Sequence, residues 1–369
     1  MTAARRFVYL GWHGFANFGD DLLFETWRDA LDDALDVSAP LSRRDYANAA
    51  PRFLRDRLRL LGTERVVLLG GGTTVGFGNW AGHMQRALRY FGARGAIVPG
   101  AGAAESADSY ALALQAHGWA DWRALDRIAL LGVRGPLTAA ECERNWEPAP
   151  VIGDPALLWP VGRDMPTAAT DGPLGVCVGS DPTSRFVIGD VAAAVSAFAE
   201  EQGKRSIRVF QLSDADVTAS EDLVASLRER TDVPVEVVRY AGSVDETMRS
   251  IAECSGFVSE RLHGAIAAVS VRVPTVMLAY ASKCDDFWSS ITGDRAPIGV
   301  GHSVADLLDE LRRSVDPAVR RSVEASTEHL QRRLAEVAAR MNTWSRGDLP
   351  TPELLSDATV GESAVPERA

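Results

Sequence analysis

A short apolar run, a turn rich in glycine or polar residues, and then a stretch with apolar residues three and four positions apart recur along most of this chain. Phe7–Leu10, Arg65–Leu69, Gly95–Pro99 and Ile128–Leu131 are such runs in the first half. Leu174–Val178, Ile207–Leu212, Val235–Tyr240, Gly256–Ser259 and Thr275–Tyr280 repeat the pattern in the second half. Alternating strand and helix signals of this kind specify parallel sheets covered by helices on both faces. Between the two sets, Pro160, Gly162, Pro166, Gly172 and Pro173 interrupt any regular element. At 369 residues the chain also exceeds the size at which one core keeps growing. The expectation is therefore two doubly wound, Rossmann-like α/β domains. The first, 1–160, supplies the glycine loops; 161–173 form a linker; 174–345 form the second domain. A Pro-, Glu- and Ser-rich tail, 346–369, reads as disordered. Val323, Leu330, Leu334, Val337, Met341 and Trp344 mark a long helix packed on its own domain, with a homodimer contact as the minority reading.

Composition narrows the class. A formal charge of −11 argues against nucleic-acid and anionic-membrane surfaces, although a local basic pocket remains compatible with it. No stretch approaches the ~18 apolar residues that would span a bilayer, and the residues after Met1 are too few in apolar character for a signal-peptide core. Cys142, Cys177, Cys254 and Cys284 are far apart and lack histidines at ligand spacing, so neither a disulfide framework nor a metal site is indicated. Reduced thiols and a cytoplasmic location are the expectation.

In open α/β sheets ligands collect at the C-terminal ends of strands, where helix N-termini present unpaired N–H groups. Four such loops carry chemistry-bearing residues. Gly11 to Asp20 follows the first strand; Asn17 could supply a turn conformation, and Asp20 or Asp21 is placed to cap the following helix or, for Asp20, to act as a base. Gly70-Gly71-Gly72-Thr73-Thr74 lets several backbone N–H groups converge on an anion or sugar oxygen. Arg134 precedes Gly135-Pro136 in a strand-to-helix loop, and Asp154-Pro155 reads mainly as a turn. Glu260-Arg261-Leu262-His263-Gly264 combines a cation with a group that titrates near neutrality, an anion pocket with its own acid or base. His13 reads as a packed loop residue.

Taken together these segments resemble the polysaccharide pyruvyl transferase family. The resemblance rests on Gly14-Phe15-Ala16-Asn17-Phe18-Gly19-Asp20, the triple glycine, Arg134-Gly-Pro-Leu-Thr, Gly153-Asp-Pro-Ala, Arg261-Leu-His-Gly, and Tyr280-Ala-Ser-Lys followed by Asp286-Phe287. It implies transfer of pyruvate from phosphoenolpyruvate, the donor substrate, to two hydroxyls of a glycan or glycan precursor, with no cofactor and no metal. Arg134 and Arg261 would hold the donor phosphate and carboxylate, with Lys283 as a third cation. His263 would be the general acid or base, and Asp20 the base toward the acceptor hydroxyl. Asn17, Leu262, Gly71 and Gly72 would complete the binding surface. The architecture would be GT-B-like, with the site in the cleft between domains. Glu260 departs from the small or polar residue familiar at that position, and a pairing with Arg261 would blunt the arginine's donor role. The rivals are a GT-B glycosyltransferase using a nucleotide sugar, against which Glu246 and Glu253 stand seven rather than eight apart, and a non-catalytic carbohydrate-binding relative.

Overall fold

A computed structural model describes residues 4–48, 50–105, 108, 118–179 and 186–356. Two wholly parallel sheets carry the chain. The first, in the order β2-β1-β3-β4-β5, contains β1 (Arg5–Leu10), β2 (Leu35–Ser38), β3 (Glu64–Leu69), β4 (Ala96–Ala101) and β5 (Ile128–Val133). The second runs β11-β10-β9-β6-β7-β8, with β6 (Leu174–Cys177), β7 (Ile207–Gln211), β8 (Val235–Arg239), β9 (Gly256–Ser259), β10 (Thr275–Ala279) and β11 (Ile298–Gly299). In both, the first strand of the βα series sits inside the sheet and the order reverses beside it, which opens a crevice at the strands' C-terminal ends.

Two strands carried no apolar run and escaped sequence reading. β2 alternates Leu35, Asp36, Val37, Ser38 because it lies at an edge with one face in water. β11 is only two residues long. The segment after β2 holds two helices, Arg43–Asn48 and Ala50–Arg59.

The helix Phe18–Ala30 starts on Asn17, whose Oδ1 accepts the Gly19 N–H at 3.1 Å, with Asp20 and Asp21 in its first turn against the positive end of the dipole. The cap is thus Asn17, not Asp20 or Asp21. Nor does Asn17 take a left-handed conformation; its φ is −121°, and the turn's positive φ of 52° belongs to Ala16.

The last long helix, Pro317–Arg346, is capped by Asp316 and ends on Gly347 at φ 98°. It does not stay on its own domain. Its end crosses to the first sheet, where Trp344 packs on Phe7 at 4.7 Å between ring centroids and Arg5 Nη1 donates to the Trp344 carbonyl at 2.9 Å. Nor is the chain disordered from 346 onward. Thr351–Leu354 forms a short helix in which Thr351 receives the Trp344 indole N–H at 2.8 Å and donates to Glu64 Oε1 at 2.7 Å. Residues 357–369 lie outside the described residues.

One apolar cluster runs through both halves. Phe7, Tyr9 and Trp27 share it with Phe257, Met277 and Phe287, and with Leu334 and Trp344 of the last helix. The two sheets are therefore joined by a common core as well as by the chain between them.

Candidate active site

The C-terminal ends of β1 and β3 face those of β9 and β10 across a cleft of about 220 Å³. Asn17, Gly19, Asp20, Gly72 and Thr73 line it from the first domain, and Arg261, Leu262, His263, Tyr280 and Lys283 from the second. The loop after β1 is anchored by backbone to the opposite domain: Phe18 N donates to the Leu212 carbonyl at 2.9 Å, and Asn17 forms an antiparallel bridge with Ser213. Tyr240 Oη adds a 2.7 Å hydrogen bond to Asp21 Oδ2. The first turn of Phe18–Ala30 is thus held across the gap against the first turn of Leu262–Ser270.

That approach is closest at Gly19. A Cβ there would stand 2.3 Å from His263 Nδ1, well inside contact distance, so glycine is the residue that lets the imidazole lie against this backbone. On its other side His263 Nε2 faces Asp154 Oδ2 at 3.9 Å. Neither atom has a hydrogen-bond partner. Asp154 is fully buried; its Oδ1 accepts the Ala156 N–H at 3.0 Å, which starts the turn Pro155–Leu158. The Asp-Pro turn reading holds, but the carboxylate's second oxygen also belongs to the site.

Three groups here are displaced from their ordinary titration range. Burial, then the charges of Arg134 and Lys283, push His263 down to about 3, so the free imidazole is neutral. Burial raises Asp154 to about 6, with Arg134 and the Ala156 N–H opposing. Burial and the neighbouring Asp21 raise Asp20 to about 7, against the pull of Lys283 and Arg261. A neutral imidazole and a carboxyl that titrates near neutrality therefore line one crevice, with the Asp154 carboxyl buried behind the imidazole, and such displaced groups are candidates for acid–base chemistry.

The cations divide into two layers. Arg261 and Lys283 line the cleft. Arg261 lays its fork on the buried Asp216, with Nε donating to Oδ1 at 2.9 Å and to Oδ2 at 3.2 Å and Nη2 also donating to Oδ1. Burial opposes the Arg261 charge, but Asp216 more than compensates and holds it firmly protonated. Glu260 instead accepts the Gly179 N–H at 2.8 Å, so the carboxylate laid along the Arg261 fork comes from Asp216, 45 positions earlier. Lys283 Nζ sits 4.9 Å from the Tyr280 ring centroid.

Arg134 is placed differently from the sequence expectation. It is 0% exposed and lies behind the cleft wall. Its Nε donates to Asp286 Oδ2 at 2.9 Å and its Nη1 to Thr73 Oγ1 at 3.1 Å, while Nη2 is left without a partner. Gly71 likewise stays out of the lining; at φ 132° it turns the chain over Leu23, and Gly72, at φ 73°, reaches the cleft. His13 packs as expected, stacked on Phe24 with Nε2 3.1 Å from Ser38 Oγ.

Sequence reasoning passed over Thr73, Asp154, Asp216 and Asp286 as functional positions. Thr73 directly follows the triple glycine and Asp286 closes the Tyr-Ala-Ser-Lys segment, so both sat inside motifs already in hand. Asp216 offered no local signal at all.

The sequence model of the family described as polysaccharide pyruvyl transferase matches residues 17–282. No curated protein matches the chain. Among solved structures, the S. aureus MnaA protein in complex with UDP superposes with a TM-score of 0.61 at 12% identity, covering 94% of this chain and 98% of that one. A Listeria monocytogenes protein provisionally described as a UDP-N-acetylglucosamine 2-epimerase gives 0.63 at 11% identity, covering 95% and 99%. At such identities the likeness is one of fold, and it makes the two-domain architecture GT-B-like.

Proposed function

The chain belongs to the polysaccharide pyruvyl transferase family, and on that premise we propose that it moves pyruvate from phosphoenolpyruvate onto two hydroxyls of a sugar in a polysaccharide or its precursor, forming a cyclic ketal and releasing phosphate. The observation that carries this reading is the facing of Arg261 and Lys283 with a neutral His263 and with Asp20, whose carboxyl is raised to about 7, across one interdomain cleft. A donor with a phosphate and a carboxylate needs two cations, and an enol phosphate that must be protonated at carbon needs an acid beside them.

Arg261, fixed by Asp216, presents its outer N–H groups to one anionic group of the donor, and Lys283 neutralises the other. Arg134 acts through Thr73, whose hydroxyl it orients toward the cleft. The charge of the anionic donor opposes the Arg134 and Lys283 fields that add to burial in depressing His263, so the imidazole then takes up a proton, with Nε2 held opposite Asp154 and Nδ1 on the side of the cleft-lining Gly19. His263 gives that proton to C3 of the enol as ionised Asp20 accepts the proton of the first sugar hydroxyl, whose oxygen bonds to C2. The C2–O bond to phosphate then breaks with the electron pair leaving on phosphate. The second hydroxyl closes on C2, and its proton leaves with the phosphate. Asp20 then returns its proton to solvent, replacing the one His263 took up, so over the whole cycle one proton is gained at C3 and one on phosphate for the two lost by the hydroxyls, with no change of oxidation state.

Calorimetric titration with phosphoenolpyruvate, run beside Lys283→Ala and a UDP-sugar, tests the assignment. Saturable donor binding, weakened roughly 10- to 100-fold in the variant as expected for a lost charge-assisted contact, supports it. Binding of the UDP-sugar with indifference to phosphoenolpyruvate would replace it with nucleotide-sugar transfer, the chemistry suggested by the UDP held in the S. aureus neighbour.

A further inference from the structure

The helix Ala50–Arg59 has its two leucines, Leu54 and Leu58, on the solvent side. Asp56 and the following Leu60 face inward, and Arg57 covers the Tyr90 ring at 5.3 Å. Leu54, Leu58 and Leu61, at i, i+4 and i+7, form a stripe on the outside that is 54%, 55% and 67% exposed. No described segment covers it. Arginines flank the stripe: between Arg43 and Arg59 there are six, against two aspartates, a local excess of four positive charges in a chain of net −11.

This helix starts near the loop after β1, whose last residues, Asn17 to Asp20, line the cleft. It follows β2, whose end is joined to the loop after β1 by the His13–Ser38 hydrogen bond, and Arg52 at its start lies within Coulombic reach of His13. The same loop projects Trp12 and Phe15, 48% and 57% exposed, with ring centroids 4.7 Å apart and the planes tilted by 35°. Single exposed apolar residues need no explanation, but an aliphatic stripe edged with arginine beside an exposed aromatic pair is a defined surface.

We infer that the Ala50–Arg59 helix with the adjoining Trp12–Phe15 loop docks the protein peripherally on an anionic lipid bilayer. The helix lies in the headgroup plane with its leucines dipping into the acyl boundary and its arginines reaching phosphates on either side. Trp12, whose indole N–H gives the ring a polar edge, takes the interfacial position, and Phe15 adds apolar area beside it. A protein partner with an acidic groove would match the arginines too, but an apolar stripe and a ring pair on two separate elements fit a continuous layer better than a groove. Docking turns the cleft mouth toward the headgroups, where a membrane-carried acceptor sugar would be presented; this consequence, unlike the docking itself, rests on the transfer reaction proposed above.

Sedimentation with phosphatidylcholine vesicles, with and without phosphatidylglycerol, tests the inference without donor or acceptor. The wild-type protein is expected to pellet with the anionic vesicles only, and to be released as salt rises. Arg52→Gln and Arg55→Gln should each weaken partitioning roughly 5-fold, following ~1 kcal/mol per basic residue near an anionic surface. Leu54→Ser with Leu58→Ser should weaken it roughly 10-fold or more. These side chains are exposed, so folding, read by thermal melting, and phosphoenolpyruvate binding, read by calorimetry, should stay unchanged. Wild-type protein left in the supernatant at low salt would overturn the inference. So would leucine variants that bind vesicles normally, and if those variants turn a dimer into a monomer by light scattering, the stripe is a contact between copies of this chain. Either failure leaves donor binding intact, and loss of donor binding alone leaves docking intact.

Discussion

Arg134 Nε lies 2.9 Å from Asp286 Oδ2 with both side chains buried, and the pair joins the first domain to the second. Asp286 also accepts the Thr138 N–H at 2.9 Å and its hydroxyl at 2.7 Å, so the carboxylate fixes the start of the helix Pro136–Asn145 as well as the arginine. Through Nη1 the same arginine holds Thr73 at the cleft edge. The interface and the site therefore share one polar network.

Removing one member of this pair should be far more damaging than removing both. Asp286→Ala is expected to cost ~3–5 kcal/mol, because it leaves a buried guanidinium without its counter-charge. The combined Arg134→Met and Asp286→Leu replacement should recover most of that loss while transfer remains depressed, since Thr73 is no longer oriented. Denaturant midpoints and steady-state rates on the three proteins check both statements; equal destabilisation by the single and double changes would contradict them.

Gly19→Ala should lower both catalysis and stability. Its backbone is helical, so alanine gains ~0.5–1 kcal/mol of helix propensity, yet the new Cβ would overlap His263 Nδ1, Cγ and Cβ at 2.3, 2.6 and 2.8 Å. A displaced imidazole predicts a fall in kcat of roughly 10²-fold, and the overpacking, costing ~1–3 kcal/mol, predicts a lower melting temperature. Full turnover in this variant would show that the imidazole position is unimportant.

Asp20 and His263 impose opposite pH dependences on stability. Asp20 has its folded value raised from 3.8 to about 7; the folded state holds the proton more tightly, so the contribution is present below pH 4 and is lost as pH rises to 7. His263 has its folded value lowered from 6.5 to about 3; its contribution is present above pH 6.5 and is lost as pH falls toward 3. Asp20→Asn should therefore become progressively more stable than the wild type as pH climbs from 4 to 7. His263→Asn should do so as pH drops below 6.5. Thermal melting across pH 4–8 reads both trends, and parallel curves for variant and wild type would refute the burial of the group concerned.

Donor binding should draw a proton from solution. Free His263 is neutral, and an anionic ligand beside it reverses the field that helped to keep it so. Calorimetry near pH 7 in buffers of different ionisation enthalpy should report net uptake that His263→Asn abolishes. Asp154→Asn should reduce uptake without eliminating binding, because the amide faces Nε2 without a charge. Binding with no buffer dependence would remove His263 as the acid.

In the sequence, both sheets, nearly every interior strand and the loops that meet at the cleft were legible, because buried parallel strands need continuous apolar runs and glycine turns leave a local mark. Asn17, Asp20, Arg261 and His263 stood in those loops and were found from them. The edge strand β2 was not, since one wet face erases the run. Asp216 and Asp286 were invisible as partners of Arg261 and Arg134, which stand 45 and 152 positions away. Spacing specifies which way a residue's own element turns, but a buried charge takes whatever partner the packing of distant elements brings to it. For the same reason only the tertiary structure placed Arg134 behind the cleft wall and Gly19 against His263, and only it left the leucines of Ala50–Arg59 facing outward, where the same amphipathic pattern would serve equally well for a core.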